Sequence, residues 1–109
     1  MTNGISDISS LEDLRGFVEQ TICDHKQLLL GAFQFHETIL VKKGKPCGLQ
    51  FTLYGPRAVQ FSAIWVAAHR TILFYDCNGG RFHRSDLDAN AGIKEELDRL
   101  AQMSEKLVA

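Results

Sequence analysis

The strongest constraint on what this chain can fold into is an alternation of apolar and polar side chains that starts near residue 34 and lasts to residue 84. "GLQFTLY" sets Leu49, Phe51 and Leu53 against Gln50, Thr52 and Tyr54, and "AVQFSAIWVAA" sets Val59, Phe61 and Ala63 against Gln60 and Ser62. A period of two belongs to strands, whose successive side chains point to opposite faces. "ETILVKK", "TILFYD" and "RFHR" supply further short runs, while "GKPCG", "GPR", His69-Arg70 and "CNGG" interrupt them with turn-forming residues. Short strands separated by short turns predict an antiparallel meander. The run around Trp65 is continuously apolar, which suits a central strand, and the brief, charged "RFHR" suits a sheet edge.

Both flanks change to helical spacing. "SSLEDLRGFVEQTICDHKQLLLG" offers Ser9 or Ser10 as N-cap with Glu12 or Asp13 three positions on, and Leu11, Leu14, Val18 and Ile22 then fall on one stripe. The spacing predicts a helix over about residues 10–26. His25 and Leu29 extend the stripe, which makes His25 a core histidine with a satisfied hydrogen bond, and Gly31 is available to close the helix if it continues that far. Residues 27–35 read equally as helix or as extended chain. In the tail, Ile93, Leu97, Leu100, Ser104 and Leu107 alternate spacings of four and three behind Asp88 or Asn90 as caps, the pattern of a second amphipathic helix. That helix is expected on the sheet, although the same seam could pair with its copy.

The fold class that follows is α+β: an antiparallel four- to five-stranded meander sheet flanked by an N-terminal and a C-terminal helix on one face. One domain is expected over residues 1–109, with residues 1–9 flexible. Ile64, Val66, Leu73 and Tyr75 have the parity opposite to Phe61, Trp65, Ile72 and Phe74, so the second face is apolar as well. Sheet curling, or self-association into a homodimer, would cover it.

Composition excludes some classes. With 45% hydrophobic and 23% charged residues the chain has the make-up of a globular domain. No apolar run approaches the ~20 residues of a membrane span. The start "MTNGISDISSLEDLR" lacks the basic and apolar regions of an export signal, so a cytoplasmic protein without membrane contact is expected. Cys23, Cys47 and Cys77 are odd in number and scattered, which argues for reduced thiols.

The net charge of −1 conceals a division along the chain. Residues 1–37 carry six acids against two bases, residues 38–84 seven bases against one acid, and residues 85–109 six acids against three bases. In the basic middle, Lys42, Lys43 and Lys45 crowd one hairpin tip, Arg57 sits on a second, and Arg81 and Arg84 line the last strand. Such a set attracts anions. The plainest functional expectation is a non-catalytic interaction module whose basic sheet edge and hairpin tips contact an acidic protein or another anionic partner. The plain structural alternative is that edge lysines deter aggregation and the acidic helices neutralise the sheet.

One stretch, "FYDCNGGRFHR", holds residue types used in nucleophilic and metal chemistry. Asn-Gly between alternating strands is also the strongest short hairpin signal, because a type I′ turn needs positive φ at both central residues. With Asn78 and Gly79 as a two-residue loop, Asp76 faces Arg81 and Tyr75 faces Phe82. With Gly79 and Gly80 as the loop, Asp76 faces His83. Either loop sends Cys77 and His83 to opposite faces, and only a three-residue loop would align them. A turn is the expected reading; a small enzyme or ligand-binding domain using Asp76, Cys77 and His83 is the alternative. No metal or cofactor is expected, since Cys23 and His25 diverge on a helix and His36, His69 and His83 are separated by whole strands. Tyr54, Trp65 and Tyr75 raise a third reading, a stacking platform for single-stranded nucleic acid, which the apolar setting of Trp65 disfavours.

Overall fold

The computed structural model describes residues 8–87 and 91–108, with Ala91 and residues 104–108 described as backbone only. Asp88 and Asn90, expected as caps, lie outside the described residues, as do the side chains of Ser104 and Leu107. Helix α1 (Leu11–Lys26) begins at Ser10, whose hydroxyl accepts from the Asp13 N–H at 3.1 Å. Asp13 in return accepts from the Ser9 N–H at 3.1 Å, a bond that holds its carboxyl below the ordinary range. This exchange satisfies donors at the open helix end. Ile8, just ahead, is buried.

The helix ends at Lys26, where the spacing predicts, and does so without Gly31. Gln27 adopts the left-handed conformation at φ 55°, and the N–H groups of Gln27 and Leu28 bond back to Asp24 and Cys23. The returning hydrogen bonds close the helix without a glycine. Residues 27–33 are neither helix nor strand, and Leu29, expected on the buried stripe, is 74% exposed.

Five strands follow: β1 (Gln34–Lys42), β2 (Lys45–Tyr54), β3 (Gln60–Val66), β4 (Thr71–Tyr75) and β5 (Arg81–Asp86). They pair antiparallel in chain order, and helix α2 (Ala91–Val108) closes the sequence. The α+β meander with a helix at each end is therefore as the pattern predicts. Leu49, Phe51, Leu53, Phe61, Ala63, Trp65, Ile72 and Phe74 share one sheet face and form a single buried cluster with Leu14, Val18 and Ile22 of α1 and Ile93 and Leu97 of α2. Each of the larger side chains contributes on the order of 1.5–3 kcal/mol of apolar burial, so this layer carries most of the stability. The helices are tied together as well, since Glu96 of α2 accepts from the Leu11 N–H at the start of α1.

The opposite face is not covered by the helices. Gln50, Thr52, Ser62, Ile64, Val66, Leu73 and Tyr75 alternate with the core residues and are half-buried. Nor does the sheet curl into a closed roll, because β1 and β5 remain its two edges.

The hairpin turns differ from those predicted. Lys43 and Gly44, at φ 52° and 78°, form the two-residue turn between Lys42 and Lys45, and β2 already includes Pro46 and Cys47. Positive φ at both central residues is the type I′ signature. Asn78 and Gly79 lie at a hairpin tip, as expected, but the loop there holds three residues, Cys77 to Gly79. Asp76 and Gly80 close it through Asp76 N–H to Gly80 O at 2.8 Å and Gly79 N–H to Asp76 O at 2.9 Å. Gly79 alone has positive φ, at 86°, which marks a type I turn with a glycine bulge. Asp76 therefore does not face Arg81, and Tyr75 faces Arg81 rather than Phe82.

Candidate functional site

Arg81 and Arg84 are three positions apart, a spacing that puts side chains on opposite faces of a regular strand. The register of β4 with β5 shifts between Tyr75, opposite Arg81, and Phe74, opposite His83, so Phe82 is an extra, bulged residue. The bulge brings both arginines to the open face. There they flank a shallow groove of about 420 Å³ whose other walls are Val66, His69, Thr71 and Leu73. Leu73 lies directly opposite Arg84, and Val66 opposite Thr71. Val66 and Leu73 supply apolar surface beside the polar Thr71 and His69, and the two arginines make the groove cationic.

Side-chain bonds order part of this rim. Arg84 Nε donates to Asp86 Oδ1 at 3.1 Å, and the Thr71 hydroxyl lies 2.9 Å from the same oxygen. These two donors, Thr71 first, hold the Asp86 carboxyl below its usual range. Among the described residues no carboxylate pairs with Arg81, Lys42, Lys43, Lys45 or Arg57. The acids that could neutralise them lie elsewhere, with Glu12, Asp13 and Asp24 exposed on α1 and Glu95 on α2.

The six predicted cations do not form one cluster. In an antiparallel meander the β1–β2 and β3–β4 turns share one end of the sheet, and the β2–β3 and β4–β5 turns share the other. Lys42, Lys43 and Lys45 thus stand at the end that carries His69, whereas Arg57, in the turn Pro56–Ala58, stands at the opposite end. Only Arg81 and Arg84 converge on a groove.

Asp76, Cys77 and His83 are distributed over three different settings. Asp76 Oδ1 accepts from the Cys77 N–H at 2.6 Å, and Oδ2 lies 3.1 Å from Lys26 Nζ and 3.6 Å from His25 Nε2. The Cys77 N–H and then Lys26 lower its pKa to about 2. Cys77 is exposed in the loop itself. His83 points to the helix side, with Nε2 3.0 Å from Ser85 Oγ, and lines a second cleft with Thr21, Asp24, His25 and Phe82. The three-residue loop therefore does not join thiol to imidazole.

His25 is a correction to the sequence reading. It is no core histidine: about a third of its side chain is exposed, and its ring stacks on Phe82 at 3.7 Å between centroids. Nothing in the sequence marks His25 and Lys26 as partners of Asp76, because they lie some 50 residues away and the helical stripe assigns His25 to the core. Trp65 is fully buried on the helix face, apart from Tyr54 and Tyr75, so the three aromatics do not form one platform.

Among the described residues no group of three or more His, Cys, Asp or Glu side chains converges as a metal site would need. No helix among them is long and apolar enough to cross a membrane. Comparison with protein-family models, with curated proteins and with solved structures gives no match.

Proposed function

We propose that the chain is a non-catalytic interaction module that holds an acidic, partly apolar segment of a partner protein against the open sheet face. Arg81 and Arg84 take its carboxylates, while Val66 and Leu73 take the apolar side chains between them. The observation that carries this reading is the groove itself: two arginines beside the apolar Val66 and Leu73, one arginine without an acidic partner among the described residues, on the face that the helices leave bare. Arginine suits the role because its planar fork holds a carboxylate through two hydrogen bonds. The lysine tip at the same end as His69 adds long-range attraction, which speeds encounter more than it strengthens the complex. Three free cysteines fit a reducing compartment, and we place the module in the cytoplasm.

The test uses a short fluorescein-labelled peptide of alternating glutamate and leucine, titrated against the whole chain at low and high salt. Affinity should fall with salt, and Arg81→Glu should weaken binding about ten-fold, the equivalent of ~1.4 kcal/mol. Reversing Lys42, Lys43 and Lys45 together should act mainly on the association rate. Unchanged affinity in Arg81→Glu would remove the groove from the reading. Displacement of the peptide by a single-stranded oligonucleotide at lower concentration than by unlabelled peptide would point to nucleic acid instead.

A further inference from the structure

The two edges of the sheet are built differently. An exposed edge presents unpaired N–H and C=O groups, and folded proteins blunt such edges by shortness, charge or a bulge. β5 uses two of these devices: it is bulged at Phe82, and it carries Arg81, Arg84 and Asp86. β1 has nine residues, against a usual strand length of about 5–6. From Gln34 to Val41 its only Asp, Glu, Lys or Arg is Glu37, beside one histidine, His36, and the Glu37 side chain shares the helix face with Phe51, its opposite residue. An inward charge is normally a protective device. Here it is neutralised by Arg15, whose Nη2 donates to Glu37 Oε2 at 2.9 Å and whose Nε bonds the other oxygen. The pair also raises the Arg15 pKa. What remains on the strand is the uncharged run Thr38-Ile39-Leu40-Val41, with Val41 61% exposed.

We infer that β1 is a pairing edge, and that its partner is β1 of a second copy, running antiparallel about a two-fold axis through Thr38. The register follows from the side chains. An axis through Glu37 would set two carboxylates face to face, and one through Ile39 would bring the irregularity between Leu40 and Val41 close to the centre of the paired segment. An axis through Thr38 keeps residues 36–40 regular. It places Thr38 opposite its copy, Glu37 opposite Ile39, His36 opposite Leu40 and Gln34 opposite Lys42. No like charges then oppose each other, and a cross-strand threonine pair supports pairing. The axis stands perpendicular to the sheet, so both helix layers stay on one side and both open faces on the other. The Arg81–Arg84 grooves lie on the far edges and remain accessible, so this inference does not depend on the proposed function.

The whole chain should sediment as a concentration-dependent dimer. Thr38→Lys sets two ammonium groups opposite each other and should yield a monomer with an unchanged circular dichroism spectrum. In a Cys77→Ser background, Thr38→Cys should form a disulfide-linked dimer under mild oxidation, because directly opposed residues have Cα atoms ~4.5–5.5 Å apart. Gln34→Cys should not, since its copy lies about 26 Å away at ~3.3 Å per residue. A monomer up to millimolar concentration would overturn the inference, as would a dimer that survives Thr38→Lys or equal cross-linking from Gln34→Cys. Should Thr38→Lys fail to fold, the contrast between the two cysteine variants decides.

Discussion

The tip between β1 and β2 is exposed from Val41 to Lys45, whereas the hairpin between β4 and β5 is held by the end of α1. At the first tip nothing but the local backbone decides the turn, and Lys43-Gly44 forms the tight two-residue link even though Lys43 must adopt positive φ. At the second, the ring of Phe82 decides. The pairs from Thr71–Asp86 to Phe74–His83 have the register that a two-residue Asn78-Gly79 loop would extend. Continued to the tip, that register would put Phe82 opposite Tyr75 on the open face. The observed shift turns Phe82 to the helix face, where it stacks on His25 and lies 6.0 Å from Phe74 between centroids. Burying an aromatic ring fully contributes ~1.5–3 kcal/mol, and half-buried Phe82 gains roughly half of that. That exceeds the advantage of one turn type over another where glycine can serve both. A turn preference thus prevails only where no long-range contact competes with it.

Removing the ring should break the contrast. Phe82→Thr is expected to lose roughly 2 kcal/mol in urea denaturation, below the ~3–5 kcal/mol of a fully buried Phe→Ala change because Phe82 is half-buried. With the ring gone, the loop should tighten to Asn78-Gly79, with Asp76 opposite Arg81 and with positive φ at Asn78. Nuclear Overhauser contacts between strand α-protons read the register directly. Retention of the bulge would show that α1 holds the hairpin through Asp76 alone.

The same contrast explains what the sequence disclosed. Alternation at Leu49–Tyr54 and the stripe Leu11, Leu14, Val18, Ile22 were legible because burial on one face imposes a period that no other structure shares. The helix end near residue 26 was legible too, but not the residue that closes it, since Gln27 does so through bonds to carbonyls that any residue could make. The arginine groove was half legible: Arg81 and Arg84 stood out as charges, but their common face depends on a bulge set by the Phe82–His25 contact. A stack between residues so far apart in the chain leaves no periodic trace in either segment.

Asp76 fastens the second hairpin to α1, and the first tip has no equivalent among the described residues. Its folded pKa of about 2 lies below the ordinary carboxyl value of 3.8. A depressed folded pKa means that the unfolded state binds the proton more readily, so the contribution is full above about pH 4 and is lost as pH falls toward 2. Asp76→Asn should therefore lower the melting temperature near pH 6, and its deficit relative to the parent chain should shrink steadily on acidification through that window. A deficit constant down to pH 2 would mean that packing, rather than the carboxylate bound to the Cys77 N–H and Lys26, holds this end of the sheet.

The smallest effect compares one kind of substitution at the two tips. Lys43 sits at φ 52°, where an L-residue is disfavoured by ~1–2 kcal/mol relative to the right-handed region. Lys43→Gly removes that strain but enlarges the freedom of the unfolded chain by roughly 0.5–1 kcal/mol, so a net gain of up to about 1.5 kcal/mol is expected. Asn78 has no such strain to relieve, since it is absent from the left-handed region, and its Oδ1 accepts from the Gly80 N–H at 3.0 Å. Asn78→Gly therefore loses both the side-chain bond and chain rigidity, and should destabilise by about 1 kcal/mol. Opposite signs in paired thermal melts follow from two different turn types. Equal signs would mean that both tips have one backbone geometry, and Phe82 would then have no part in choosing it.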